Sequence, residues 1–155
     1  MKKISILLIA VVAMLVSTSC SITKDVEKNA VPIAFTTLSN YYVNNTVDTK
    51  KKITKSFSSE AEFNEYFGAA AVMGANGQPT YVNWKTQYVL AVILPETDRA
   101  TEAYPLSVVQ NGNAVIFNYK VDKGDKQSWT RVPFTAVVLD RPTVDSQMEI
   151  FYNEK

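Results

Sequence analysis

The chain has 155 residues, 16 of them Lys or Arg and 15 Asp or Glu, with a net charge of +1, one cysteine and no histidine. That balance offers no basic surplus to hold nucleic acid or an anionic surface. The missing imidazole removes the commonest general base, the commonest metal ligand and every Ser-His or Cys-His nucleophile pair.

The first twenty residues read as an address. Lys2 and Lys3 precede an apolar run over 4–16, and Ser17, Thr18, Ser19 and Cys20 follow. A basic start, a short apolar centre and small residues at a cleavage point make a secretory signal. A helix over 4–16 would span roughly 20 Å, short of the ~30 Å of a hydrocarbon core, so the run is a poor permanent span. The placement of Cys20 resembles the bacterial lipoprotein signal, in which cleavage leaves the cysteine first and diacylglycerol is attached to its thiol. Ser17 stands where that pattern prefers Leu, and looser forms of this kind occur in Bacteroidota. An ordinary secretory leader with an incidental cysteine is the alternative. No second cysteine exists to pair with Cys20 in a disulfide. A lipid on Cys20 accounts for the lone thiol and predicts a protein tethered to a membrane, since acyl chains contribute ~0.8 kcal/mol per buried CH₂. Ser21 after the cysteine, by the enterobacterial sorting pattern, points to the outer membrane, on either its periplasmic or its surface face.

Residues 1–19 are therefore expected to be the signal peptide and 20–32 a lipidated flexible tether of mixed charge. Residues 33–155 are expected to form one β-rich domain, long enough for a core. Residues 33–38 suggest a first strand, 40–52 an Asn-rich loop or irregular edge, and 53–57 a short alternating strand. The clearest helix lies over 58–68. Ser59 and Glu62 fit a capping box, Phe63, Tyr66 and Phe67 share one face, and Gly68 fits the left-handed position that ends a helix. The aromatic stripe is expected to pack on a sheet. Residues 69–83 are turn-rich and predict a long loop.

Residues 87–95 form a continuous apolar run, as in a central strand buried on both faces. A polar connection over 96–103 and a strand over 104–110 follow. Asn111-Gly112 predicts a type I′ hairpin turn. The return strand over 113–121 alternates Val115, Phe117, Tyr119 and Val121 with Ile116, Asn118 and Lys120, which gives a core face and a mostly wet one. A second turn is expected at 122–128, a strand at 129–140 that Pro133 marks as an edge or bulge, a turn at 141–147, and a closing strand at 148–153. The fold class is mainly β: a small antiparallel sheet or barrel of six to seven strands with one packed helix.

Chemistry is sparse. The sequence contains no phosphate loop, zinc spacing, calcium loop or nucleophile elbow, and it implies no cofactor and no metal. Asp122 and Asp125 flank Lys123-Gly124 like part of a cation loop, but the lysines favour a solvated turn. Glu96, Asp98 and Glu102 could supply a hydrolytic carboxylate pair, yet nothing apolar surrounds them to raise a pKa. Trp84, Tyr104 and Trp129 could stack on sugars, although alternation assigns some of them to the core.

Three stretches carry a family resemblance: "SFSSEAEFNEYFG" (56–68), "VNWKTQYVLAVILPETDRATEAYPLSVVQNGNAVIFNYKV" (82–121) and "SWTRVPFTAVVLDR" (128–141). Their order of aromatic helix, apolar strand, hairpin and Pro-led final strand resembles small lipoproteins related to the protease-complex subunit PrcB. The layout also resembles the potempin protease inhibitors of oral Bacteroidota. In place of the first family's "GGY"-like turn the chain has "TDRATEAY". The resemblance implies an enzymatically inactive partner of a secreted or cell-surface protease. Binding modules present loops on a rigid β scaffold, so the expected protease-contact loop is Thr97, Asp98, Arg99 and Ala100. The alternatives are an accessory subunit of an envelope complex and a ligand- or glycan-binding surface lipoprotein.

Overall fold

The computed structural model describes residues 27–70, 73–74, 77–142 and 147–155. The expected signal peptide, Cys20 and the first part of the tether lie outside the described residues, as does most of the turn expected at 141–147. Among the described residues no helix is long and apolar enough to cross a membrane.

Among the described residues the fold is mainly β with one helix, as expected, and has ten strand segments rather than six or seven. They are β1 (Val31–Ile33), β2 (Thr36–Thr37), β3 (Tyr41–Val43), β4 (Ile53–Phe57), β5 (Phe67–Ala69), β6 (Gln87–Ile93), β7 (Thr97–Asn111), β8 (Ala114–Arg131), β9 (Phe134–Asp140) and β10 (Glu149–Glu154). The helix, α1, spans Glu60–Tyr66. An outer sheet runs β1-β7-β8-β10, a middle sheet runs β2-β9-β6-β4, and β3 pairs with β5.

The middle sheet is apolar on both faces because successive side chains of a strand point to opposite sides. Val89, Ala91 and Ile93 of β6 join Phe57, Phe63, Phe67, Ala136 and Val138 in one cluster. Tyr88, Leu90, Val92 and Leu94 join Val108, Val115, Phe117, Tyr119, Val137 and Leu139 in the other. The unbroken apolar run at 87–95 thus has one cause: each of its two periods faces a separate core. Burial of each large side chain there contributes about 1.5–3 kcal/mol.

Helix α1 starts as its sequence predicts. Ser59 is extended (φ −140°, ψ 152°), and its Oγ accepts a hydrogen bond from the Glu62 amide at 3.3 Å. The reciprocal half of the capping box is not made, since the Glu62 carboxylate pairs with Lys55 Nζ at 2.8 Å. The helix does not end in a left-handed Gly68. Phe67 caps it in extended conformation, and the chain runs directly into β5, where Val43↔Phe67 and Tyr42↔Gly68 are paired. Phe63 and Phe67 stack at 4.9 Å, and Phe57 meets Phe63, Tyr66 and Phe67 edge-on at 5.3–5.8 Å. The aromatic stripe is core, as expected.

Several expectations need correction. Residues 33–38 are not one strand: β1 pairs with β7, β2 pairs with β9, and the chain crosses between sheets at Ala34-Phe35. Residues 27–32 are not free spacer. Val31 and Pro32 pair with Gln110 and Val109, and Glu27 forms an ion pair with Lys155 at 2.9 Å. The hairpin turn is Gly112-Asn113, because Asn111 pairs with Ala114. Gly112 has a positive φ (57°), and among the described non-glycine residues only Asn40 shares that sign. A positive φ at the first central residue alone is the type II′ pattern, not type I′. Ile116 and Asn118, expected to be wet, are buried. Strand β10 pairs with β8 in parallel, Glu149↔Ala114 through Glu154↔Tyr119. Apolar alternation has the same period in both orientations, so it carries no information about strand direction.

Candidate functional site

Strands β6 and β9 pair in constant register from Gln87↔Asp140 to Ile93↔Phe134. The ladder then continues: the Leu94 amide donates to the Pro133 carbonyl at 2.8 Å, and Thr97 pairs with Arg131. One long antiparallel ribbon therefore leaves the middle sheet, turns a corner and becomes the centre of the outer sheet. The next pair is Arg99↔Lys126, so a short step on β7 faces a much longer one on β8. The surplus residues form a bulge, which bends a strand and increases its twist. Trp129 lies in that bulge and is 52% exposed.

The corner corrects two expectations together. Thr97, Asp98, Arg99 and Ala100 are not a loop, and 122–128 is not a turn. Both are strand, and they pair with each other. Asp98 meets Lys126 Nζ at 3.2 Å, and Arg99 Nη1 donates to the Gly124 carbonyl at 3.4 Å. Thr97 Oγ1 accepts from the Arg99 amide at 3.2 Å. Ala100 packs so closely on Gly124 that a Cβ there would sit 2.8 Å from the Ala100 carbonyl oxygen. The four residues are thus brought together as a braced, extended segment. On its other side, β1 pairs only with Val108–Gln110, so Thr97–Ser107 has no strand on its outer edge among the described residues.

The acidic residues near the corner are already engaged. Glu96 accepts from Thr130 Oγ1 at 2.5 Å. Asp122 accepts a short hydrogen bond from Tyr104 and pairs with Lys120 at 2.9 Å. The Tyr104 hydroxyl first, and Lys120 second, hold its carboxyl below the usual range. Asp122 and Asp125 lie in β8 rather than in a loop, and no group of three or more potential metal ligands occurs among the described residues. Of the candidate aromatics, Trp84 packs against Phe63 at 5.3 Å in the core, Tyr104 is half-buried with Lys120 over its ring, and Trp129 remains open.

Two open grooves flank Pro95-Glu96. One, of about 550 Å³, lies against residues 43–50 and Val132. The other, of about 420 Å³, lies on the face of the ribbon that carries Thr101, Val121 and Lys123. Lys52 and Glu154 line its end, tied to a hydroxyl that sequence reasoning missed. Lys52 Nζ donates to the buried Tyr119 hydroxyl at 3.1 Å, which donates to Glu154 at 3.2 Å; Lys52 and Glu154 are 3.5 Å apart. Burial pushes the Tyr119 pKa up, and the hydrogen bond to Tyr119 pushes the Lys52 pKa up. Both groups therefore keep their protons at neutral pH, and the trio ties residue 52, β8 and β10 together rather than supplying a base. Alternation places Tyr119 in the core, but nothing local to residues 50–52 shows which lysine reaches it.

In comparisons with known proteins, the chain matches no family model, no curated protein and no solved structure.

Proposed function

We propose that the chain is a lipid-anchored, outer-membrane protein of the cell envelope that restrains a secreted or cell-surface protease by occluding its cleft, with no chemistry of its own. The observation that carries this reading is the Thr97–Ala100 segment: extended, braced by Lys126 and Gly124, and open along its outer edge. Protein partners can recognise an extended strand by adding main-chain hydrogen bonds along its free edge. A segment already held in that shape loses little freedom on binding. The leader and Cys20 support attachment of diacylglycerol and palmitate at the membrane. The residue order resembling PrcB-related lipoproteins and potempins supports a protease as the partner. The occluding element is a strand of the ribbon, not a loop.

The test is residual activity of serine, cysteine and metalloproteases, including those secreted by the same cells, against the protein purified in non-ionic detergent. Tight inhibition of one class, with the protein intact on a gel and Arg99→Ala weakening the effect, is the expected result. Rapid digestion, or no effect on any class, sinks the reading. The exposed indole of Trp129 favours glycan binding as the second reading. An oligosaccharide-dependent shift in fluorescence that Trp129→Phe abolishes would support it. A stable partner whose activity is unchanged would instead indicate an accessory subunit.

A further inference from the structure

The groove of about 420 Å³ lies where the core face of the outer sheet runs past the middle sheet. Ala103 and Val121 still pack on the core. The next pair outward on that face is Thr101↔Lys123, with Arg99 two residues beyond Thr101 on the same side. Leu94, Pro95 and Val121 give the groove an apolar lining. Thr101 is 4% exposed although it lines the cavity.

The charges in this groove do not cancel. Glu154 is paired with Lys52, whereas Glu96 accepts from the neutral Thr130 hydroxyl and keeps its charge. Against that one charge stand two cations, Arg99 and Lys123. Among the described residues the Arg99 side chain donates only to the neutral Gly124 carbonyl, at the long distance of 3.4 Å. Lys123 has no ion pair among the described residues, and both side chains line the groove. A guanidinium fork with a second cation lining the same groove matches a carboxylate, which the fork can hold through two charge-assisted hydrogen bonds. A few charged groups above an apolar lining are typical of a ligand site that orients its ligand by charge and holds it by burial.

We infer that the groove between Arg99 and Lys123 is a binding site for a carboxylate carried on an apolar peptide, either the free C-terminus of a chain or an acidic side chain. This goes beyond protease inhibition, because it concerns the core-side face of the ribbon and holds whether or not the outer edge of β7 engages a protease.

The experiment is isothermal titration calorimetry of the full chain in non-ionic detergent with three N-acetylated pentapeptides. The first is Gly-Ala-Val-Ala-Leu with a free C-terminus, the second is its C-terminal amide, and the third is Gly-Ala-Asp-Ala-Leu amide. Binding of the first or third and not of the second is expected; which one binds identifies the carboxylate as terminal or side-chain. Arg99→Gln and Lys123→Gln should each weaken that binding by about tenfold, and Lys85→Gln should leave it unchanged. Lys123 is exposed, so its substitution leaves the fold intact even if Arg99→Gln loosens the ribbon. No heat from any peptide, equal binding of the uncharged amide, or indifference to both substitutions would overturn the inference.

Discussion

The two halves of the long ribbon use the same backbone ladder and differ in nearly everything else. Over Gln87–Ile93 and Phe134–Asp140 the register never shifts, and almost every side chain is buried between two apolar clusters. Over Thr97–Tyr104 and Lys120–Arg131 the register shifts twice, charged residues alternate with small ones, and most side chains reach solvent. The first half is held by packing on both faces and tolerates no slip, because a one-residue slip would exchange the two cores. The second half is held mainly by main-chain hydrogen bonds, one close Ala100–Gly124 contact and surface ion pairs worth little individually. Its freedom from core packing is what lets it bend, bulge and present Arg99, Lys123 and Trp129.

That contrast can be tested from its strong end. Leu90 is fully buried in the cluster shared by the two sheets. Leu90→Ala should cost about 2–5 kcal/mol of global stability, read from the urea midpoint at unchanged slope. A loss below about 1 kcal/mol would show that the middle sheet is not the main source of stability.

The ribbon should respond locally. A Cβ on Gly124 would meet the Ala100 carbonyl, a backbone atom that cannot rotate away. Gly124→Ala should cost about 1–2 kcal/mol. It should raise hydrogen exchange at 97–104 and 120–131 while leaving 87–93 and 134–140 protected. Equal deprotection in both halves would mean that the ribbon unfolds only with the core.

The smallest effect lies at the clasp between the first and last described residues. The hydrogen bond from Lys155 holds the Glu27 carboxyl below its ordinary value of 4.5. A lowered carboxyl contributes stability above that ordinary value and loses it as pH falls through the lower folded one. The midpoint temperature of the native chain should therefore exceed that of Glu27→Gln at neutral pH, and the gap should close below 4.5. A gap that stays constant into acid would remove the ion pair as its cause.

The core half is legible in the sequence. The apolar run at 87–95, the face from Val115 to Val121 and the aromatic stripe of α1 all report burial: Tyr88–Leu94, the Val115–Val121 face and the stripe lie in the two cores or against them, and only the ends of the run, Gln87 and Pro95, do not. The ribbon half misleads, because "ETDRATEA" and "DKGDKQS" are polar and contain turn formers. Nothing in either segment shows that the other will lie beside it. Gly124 is the one residue that hints at close approach, and beside two aspartates it reads equally well as a turn.

Which residues are apolar, and with which period, follows from the order of residues alone. So do the mainly β class, the doubly buried central strand and the helix with its Ser59 cap. Those are local properties, because side-chain period and amide capping involve neighbours a few residues apart. Other features exist only in the folded chain. Residues 33–38 divide between two sheets, β10 runs parallel to β8, Lys52 and Glu154 meet over Tyr119, and Arg99 and Lys123 share a groove. Each of these depends on which distant strand supplies the other half of the hydrogen bonds, and a polar strand carries no mark of its partner until the two are paired.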